Sequence, residues 1–220
     1  MQLSISEENY LKEIYNLPKD GLRKIPNLQI GARLGLNPPA VTEMLRKLAE
    51  KKLISYSRAE GAVLTEEGEI LALQIIRKHR IWETFLVKKL GFNWDEVHEV
   101  AEQLEHIRSQ KLLDELDRFL GFPEFDPHGE PIPNALGIMP ALPAISLAKC
   151  KPGQKLELVS VATQRNDLLQ NLEKSGLRIR TQFEVAGVSD ETEQLQLKLQ
   201  KGNELFVSKS DAEILMVMLL

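Results

Sequence analysis

Two runs of histidine and carboxylate at helical spacing are the chemically active feature of this 220-residue chain. His79 and Glu83 lie at i and i+4 and share a helix face. His98, Glu102, Glu105 and His106 follow at i, i+4, i+7 and i+8, again on one face. Three of the four histidines fall in these runs. Brought together, the two faces offer imidazoles and carboxylates but no thiolate. Such ligands suit Mn2+ or Fe2+, and Zn2+ binds them more tightly still by the Irving–Williams order. Solvated amphipathic helices carry the same spacing, so spacing leaves a polar surface open beside a metal site. Hydrolytic chemistry is disfavoured. There is no H-E-x-x-H, and no Ser/His/Asp or Cys/His pairing marks a nucleophile, so the chain reads as a non-enzyme.

A second group of residues suits nucleic acid. Asn37, Pro39, Thr42, Glu43, Arg46 and Lys47 sit at the start and on the polar face of a short amphipathic segment whose Val41, Leu45 and Leu48 point inward. Arg46 and Lys47 can neutralise phosphates, Thr42 can meet a phosphate or a thymine methyl, and Glu43 can accept from cytosine N4. Arg58 lies in a polar turn soon after. The alternative is a module of the same shape used for protein contacts.

The elements that must position these residues follow from pattern and punctuation. Residues 6–17 read as an amphipathic helix capped by Ser6. Asn27 to Leu34 reads as a short helix, and Pro38 and Pro39 suit the first turn of the next, which runs to Leu48. Two β-prone runs, 53–56 and 62–65, flank a turn and read as a hairpin. Helix, turn, helix, hairpin is the winged helix-turn-helix order, whose second helix enters the major groove. A long helix is expected from Thr65 to about Leu90 and another from Asp95 to about Leu120. Six of the 11 prolines lie between Pro123 and Pro143, so residues 121–145 read as a stiff, extended connector. Beyond it, period-two alternation at 155–161, 183–185 and 195–199 surrounds a helix at 167–174, the pattern of a small β-barrel. The predicted fold is mainly α with a small β part. A winged helix-turn-helix spans 1–65, a helical domain 66–140 and a small β domain 150–220; metal binding and dimerisation by the second, and an SH3-like form for the third, are what a family resemblance carried by the motifs implies.

Composition narrows the function classes. The chain carries 28 Lys+Arg against 32 Asp+Glu, yet residues 1–64 alone carry 10 against 7. Only this first segment is basic, an excess that carries weight for nucleic acid only together with a motif. No apolar run approaches the ~18–20 residues of a membrane span. One cysteine, Cys150, excludes a disulfide scaffold and reads as a buried thiol. With no secretory pattern at the start, a cytoplasmic location is expected.

At this point the motifs resemble a known family. Arg77-Lys78-His79-Arg80-Ile81-Trp82-Glu83, Val97-His98 and Leu104-Glu105-His106 resemble the diphtheria toxin repressor family of metal-dependent DNA-binding repressors. Tyr10-Leu11-Lys12-Glu13-Ile14-Tyr15 resembles its first helix, and Pro39-Ala40-Val41-Thr42 the opening of its recognition helix. Leu64-Thr65-Glu66-Glu67-Gly68 resembles the wing exit, and Gly129-Glu130-Pro131-Ile132-Pro133 the close of the dimerisation domain. The resemblance covers about residues 4–140, and more loosely 150–220. It implies a metal corepressor, a homodimer formed by the long helices, and binding to palindromic double-stranded operators of metal-uptake genes.

The resemblance also implies two metal positions. One uses His79, Glu83 and His98, with Gln164 and Asp167 matching a pair donated by the C-terminal domain. The other uses Asn9, Glu102, Glu105 and His106. Glu102 stands where the iron branch has Cys and the manganese branch Glu, which favours Mn2+ over Fe2+, with Zn2+ or Co2+ as substitutes in vitro. Asn9 stands where the manganese branch has Asp and the iron branch Met. Lys12 stands where the manganese branch has a ligating Glu, and a lysine there opposes a second cation. A cation between the first helix and the long helices is expected to fix the reading module for two half-sites roughly 34 Å apart. The competing expectation is a winged-helix regulator that responds to a small organic ligand, with the His/Glu faces exposed. A peptide-binding role for the β domain is disfavoured, because beyond Phe183 and Phe206 it lacks the aromatics of such a groove.

Overall fold

The structure is a computed structural model, and it describes residues 2–17, 24–163, 165–189, 194–199 and 203–220. The chain divides into two compact units. One comprises Met1–Lys78, Glu105–Ile107 and Pro133–Ile138; the other comprises His79–Leu104, Arg108–Ile132 and Met139–Leu220.

The first unit holds the helix-turn-helix and its wing. Helix α1 spans Ile5–Asn16. Its N-cap is Ser4, not the expected Ser6. Ser4 and Glu7 form a reciprocal capping box, in which Ser4 Oγ accepts from the Glu7 amide and the Glu7 carboxylate accepts from the Ser4 amide. Ser6 has Asn9, not Glu or Gln, three positions on. Helix α2 (Asn27–Leu34) ends at Gly35, whose φ of 65° is the left-handed cap conformation. Helix α3 (Pro38–Glu50) starts at Asn37, whose side chain accepts from the Ala40 amide. Strands β1 (Ile54–Ser57) and β2 (Gly61–Leu64) pair antiparallel as the wing. Leu11, Ile30, Val41, Leu45, Leu48 and Leu53 are fully buried in one core. Helix α4 (Glu66–Leu90) starts after Thr65, whose Oγ1 accepts from the Gly68 amide at 3.2 Å. It contributes Ala72 to this core.

The second unit holds the rest of α4, two shorter helices, the connector and the sheet. One helix was expected from Asp95 to Leu120; instead α5 spans Val97–Leu104 and α6 spans Gln110–Phe119. Ser109 caps α6 by accepting from the Leu112 amide, while Glu105 and His106 leave the helical path to pair with residues of α1. Ile81, Leu113, Leu116 and Ile132 form one small core, and Leu86, Val97 and Ala101 another. The connector has no helix or strand between Gly121 and Ala144 among the described residues.

The sheet has six antiparallel strands in the order β3-β8-β4-β5-β6-β7: β3 (Ile145–Ser146), β4 (Lys155–Val161), β5 (Gln182–Val188), β6 (Leu195–Leu199), β7 (Glu204–Val207) and β8 (Leu215–Leu219). Helix α7 (Asn166–Ser175) ends on Gly176, and α8 (Lys209–Ile214) leads directly into β8. Strand β8 carries no period-two signal because all five of its residues are apolar, although their burial alternates. Leu156, Leu158, Val161, Val185, Leu197 and Val217 fill the core, and Cys150 is buried beside them. Among the described residues, no helix is long and apolar enough to cross a membrane.

Candidate metal centre

In the second unit, α4 presents His79 and Glu83 one turn apart and α5 presents His98. Their donor atoms converge. His79 Nε2 lies 3.0 Å from Glu83 Oε1, His98 Nδ1 lies 3.1 Å from His79 Nε2, and His98 Nδ1 lies 3.4 Å from Glu83 Oε1. Adjacent donors around a small divalent ion with bonds of ~2.1 Å sit about 3 Å apart. The three atoms thus form a triangle of the size of one octahedral face. Two imidazoles and one carboxylate are also the donor chemistry of a borderline divalent metal. The residues fit such an ion.

The surroundings hold these donors in place. Glu102 Oε1 lies 3.4 Å from His98 Nε2 and 3.8 Å from His79 Nδ1, the ring nitrogens that face away from the triangle. A carboxylate at the outer nitrogen sets the tautomer and orientation of a ligating imidazole. Glu102 thus borders both histidines of the triangle. Burial of Glu83 on its own would raise its pKa, but the facing His128, His79 and His98 outweigh it and hold the carboxyl well below its ordinary range. Its two oxygens divide the work, Oε1 toward His79 and His98 and Oε2 toward His128 Nδ1 at 3.4 Å.

His128 escaped the sequence reading. It lies in the proline-rich connector, where no periodicity assigns it to a face. Its Nε2 donates to the Trp94 carbonyl at 2.7 Å, and its ring stacks on Trp94 at 5.9 Å between centroids. Burial pushes its pKa down, but Glu83 and Asp126 reverse the sign and raise it to about 9. Asp126 Oδ1 accepts from the amides of His128 and Glu130, closing the turn that carries His128. Burial, with Glu83 and Glu130 nearby, raises the Asp126 carboxyl. Arg80 donates to the Pro131 carbonyl and pairs with Glu130 at 3.0 Å, which ties the turn to α4. Gly129 is required here. Its φ is 77°, and a Cβ would stand 1.9 Å from the Val159 carbonyl oxygen of β4.

Glu105 and His106 belong to the first unit, where Lys12 Nζ pairs with Glu105 Oε1 at 2.6 Å and His106 Nδ1 lies 2.6 Å from Glu8 Oε2. Glu8 was not anticipated from the sequence. Asn9 Oδ1 is buried, with no hydrogen-bond partner among the described residues. Asp167, on the first turn of α7, pairs with Arg165 at 2.8 Å and is two-thirds exposed. Gln164 lies outside the described residues.

The DNA-facing candidates divide between structural work and exposure. Asn37 is the α3 cap, and Thr42 Oγ1 donates to the Pro38 carbonyl at 2.9 Å. Lys47 lies 3.4 Å from Glu7 and is half-exposed. Pro39, Glu43 and Arg46 on α3, and Arg58 at the wing tip, are exposed.

Comparison with known proteins is consistent along the whole chain. Residues 2–62 match the N-terminal DNA binding domain of iron dependent repressors, residues 65–134 their metal binding and dimerisation domain, and residues 145–219 the FeoA domain. The iron-dependent repressor IdeR of Mycobacterium tuberculosis (strain ATCC 25618 / H37Rv) is 33% identical over 141 residues, 63% of this chain and 61% of that protein, so the match spans less than two thirds of its length. The diphtheria toxin repressor of Corynebacterium jeikeium (strain K411) is 28% identical over 158 residues, 72% of this chain and 65% of that protein. A solved manganese-dependent transcriptional repressor in complex with manganese superposes with a TM-score of 0.88 at 31% identity, covering 97% of this chain and 100% of that one. ScaR with bound Zn2+ superposes with a TM-score of 0.81 at 34% identity, covering 97% and 99%.

Proposed function

The chain belongs to the iron-dependent repressor family, and on that footing we propose that it is a metal-dependent DNA-binding repressor with Mn2+ preferred over Fe2+. What carries this reading is the convergence of His79 Nε2, Glu83 Oε1 and His98 Nδ1 within 3.0–3.4 Å of one another. A divalent ion held there supplies the positive charge that joins α4 to α5. His79, Glu83 and His98 bind it, Glu102 orients both imidazoles, and His128 holds the second oxygen of Glu83. The hard oxygen of Glu83 and the absence of thiolate favour Mn2+, while Zn2+ and Co2+ substitute in vitro.

The DNA side rests on α3 and the wing. Arg46 and Arg58 contact phosphate, and Pro39 and Glu43 face the base edges. A homodimer presents two such helices to palindromic half-sites one helical turn apart, about 34 Å, or a multiple of it. The regulated genes are those of metal uptake, and the protein acts in the cytoplasm.

The test is fluorescence anisotropy of a palindromic duplex at fixed salt, since phosphate contacts make affinity salt-dependent. Mn2+, anaerobic Fe2+ and Zn2+ are titrated separately. Mn2+ tightens binding at least tenfold, and His79→Ala abolishes that gain while leaving the metal-free affinity in place. Binding that no metal changes would favour the organic-ligand regulator instead.

A further inference from the structure

We infer that the Tyr56 hydroxyl is a phosphate donor of the DNA-reading module, aimed by Asn27, and that the Thr42 hydroxyl is an internal strut with no proton left for DNA. This contact rests on the DNA-binding reading and adds to it an uncharged donor on the wing.

Counting protons within the first unit leads here. Thr42 shares a face of α3 with Pro39, Glu43 and Arg46, at i+3, i+4 and i+7 from Pro39. Its one hydroxyl proton goes to the Pro38 carbonyl at 2.9 Å. A phosphate oxygen accepts and does not donate, so the hydroxyl as held has nothing to offer it. Thr42 Oγ1 in turn accepts from Asn27 Nδ2 at 3.4 Å, and the same nitrogen donates to the Tyr56 hydroxyl at 2.9 Å. Both protons of that nitrogen are then spent. Tyr56 receives a proton and keeps its own, which has no acceptor among the described residues.

The orientation of the Asn27 amide decides this count. An oxygen whose proton is committed can face only a donor, so Thr42 selects the nitrogen of Asn27. The opposite orientation would set the amide oxygen against Thr42 Oγ1, acceptor against acceptor, and would consume the Tyr56 proton. The orientation held leaves Asn27 Oδ1 buried with no hydrogen-bond partner among the described residues.

The backbone fixes the two residues relative to each other. Tyr56 on β1 pairs with Ala62 on β2. Ala62 exchanges hydrogen bonds with Ile25, two residues before Asn27, at 2.7 and 2.9 Å. Gly61 permits that approach, since a Cβ there would stand 2.1 Å from the Ile25 carbonyl oxygen. The Tyr56 ring packs against the core of the module and is half-buried, as suits a side chain with an apolar body and a polar tip.

Fluorescence anisotropy of the full chain with Mn2+ measures a palindromic duplex and a scrambled duplex of the same length across a salt series. Tyr56→Phe keeps its thermal stability and binds both duplexes at least tenfold more weakly. Its slope against log salt is unchanged, because a neutral donor displaces no counterion. Thr42→Val stays within twofold of the wild type. Asn27→Leu weakens binding at least threefold, and adding it to Tyr56→Phe costs nothing more, which marks Asn27 as a positioning residue acting through Tyr56. Duplexes carrying one neutral methylphosphonate at successive positions locate the partner: one position in each half-site weakens the wild type and leaves Tyr56→Phe unaffected. Wild-type affinity in Tyr56→Phe, or a scan in which no position loses its effect in that variant, overturns the contact. A tenfold loss in Thr42→Val with a methylphosphonate position of its own returns the phosphate to Thr42. A wild type that binds neither duplex removes the DNA-binding reading and this contact with it.

Discussion

Glu7 shows how one side chain can hold several neighbours. It is 1% exposed, caps α1, and forms ion pairs with Lys51 at 2.5 Å and Lys47 at 3.4 Å. Burial alone would raise its pKa, but the two ammonium groups and the Ser4 amide bring it down from 4.5 to about 2. A depressed carboxylate adds stability that is fully present above its unfolded pKa and is lost as pH falls through the folded one. Glu7→Gln should therefore cost roughly 2 kcal/mol at pH 7, discounted for the exposure of both lysines. The gap between wild type and variant in urea unfolding should shrink between pH 4.5 and about 2. A gap that stays constant over this range would assign the cost to the lost cap geometry, not to charge.

Among the elements, α4 depends on one small residue. Gly68 lies in its first turn, where Gly→Ala ordinarily favours a helix by up to ~1 kcal/mol. Here a Cβ would stand 1.9 Å from the Leu53 carbonyl oxygen, which itself accepts from the Thr65 amide at 3.0 Å. Backbone meets backbone, so the collision outweighs the propensity gain. Gly68→Ala should destabilise by about 2 kcal/mol or more, a fall in Tm of several degrees for a chain of this size. An unchanged or raised Tm in calorimetry would refute this. The break between α5 and α6 follows similar logic, since a cap at Ser109 and two buried pairs at Glu105 and His106 outweigh the continuation of a regular apolar stripe.

Leu112 and Phe119 lie at i and i+7 on α6 and are 39% and 61% exposed, with Phe85 of α4 6.4 Å from Phe119 between ring centroids. An exposed apolar pair of this kind suits burial in an interface. The proposed homodimer buries it. Sedimentation should give a dimer for the wild type and a monomer for Phe119→Glu. That variant should keep its Mn2+ stoichiometry and lose at least tenfold in affinity for a palindromic duplex. A dimeric Phe119→Glu would move the interface elsewhere.

Local pattern set most of the elements and showed which histidines and carboxylates share a helix face. Helical periodicity placed His79 with Glu83 and His98 with Glu102, and Asn37, Gly35 and Gly176 marked helix ends, because caps and i,i+4 spacing are properties of neighbours in the chain. Strand β8 and the division between α5 and α6 were not legible, since a uniformly apolar run has no phase and a helix break driven by distant ion pairs leaves no local mark. Only the tertiary structure brought His128 from the connector to Glu83, Glu8 to His106, and Lys12 to Glu105. It also set Glu102 beside His79 and His98. Charge pairing across tens of residues depends on which buried groups the fold encloses together, and no spacing rule contains that.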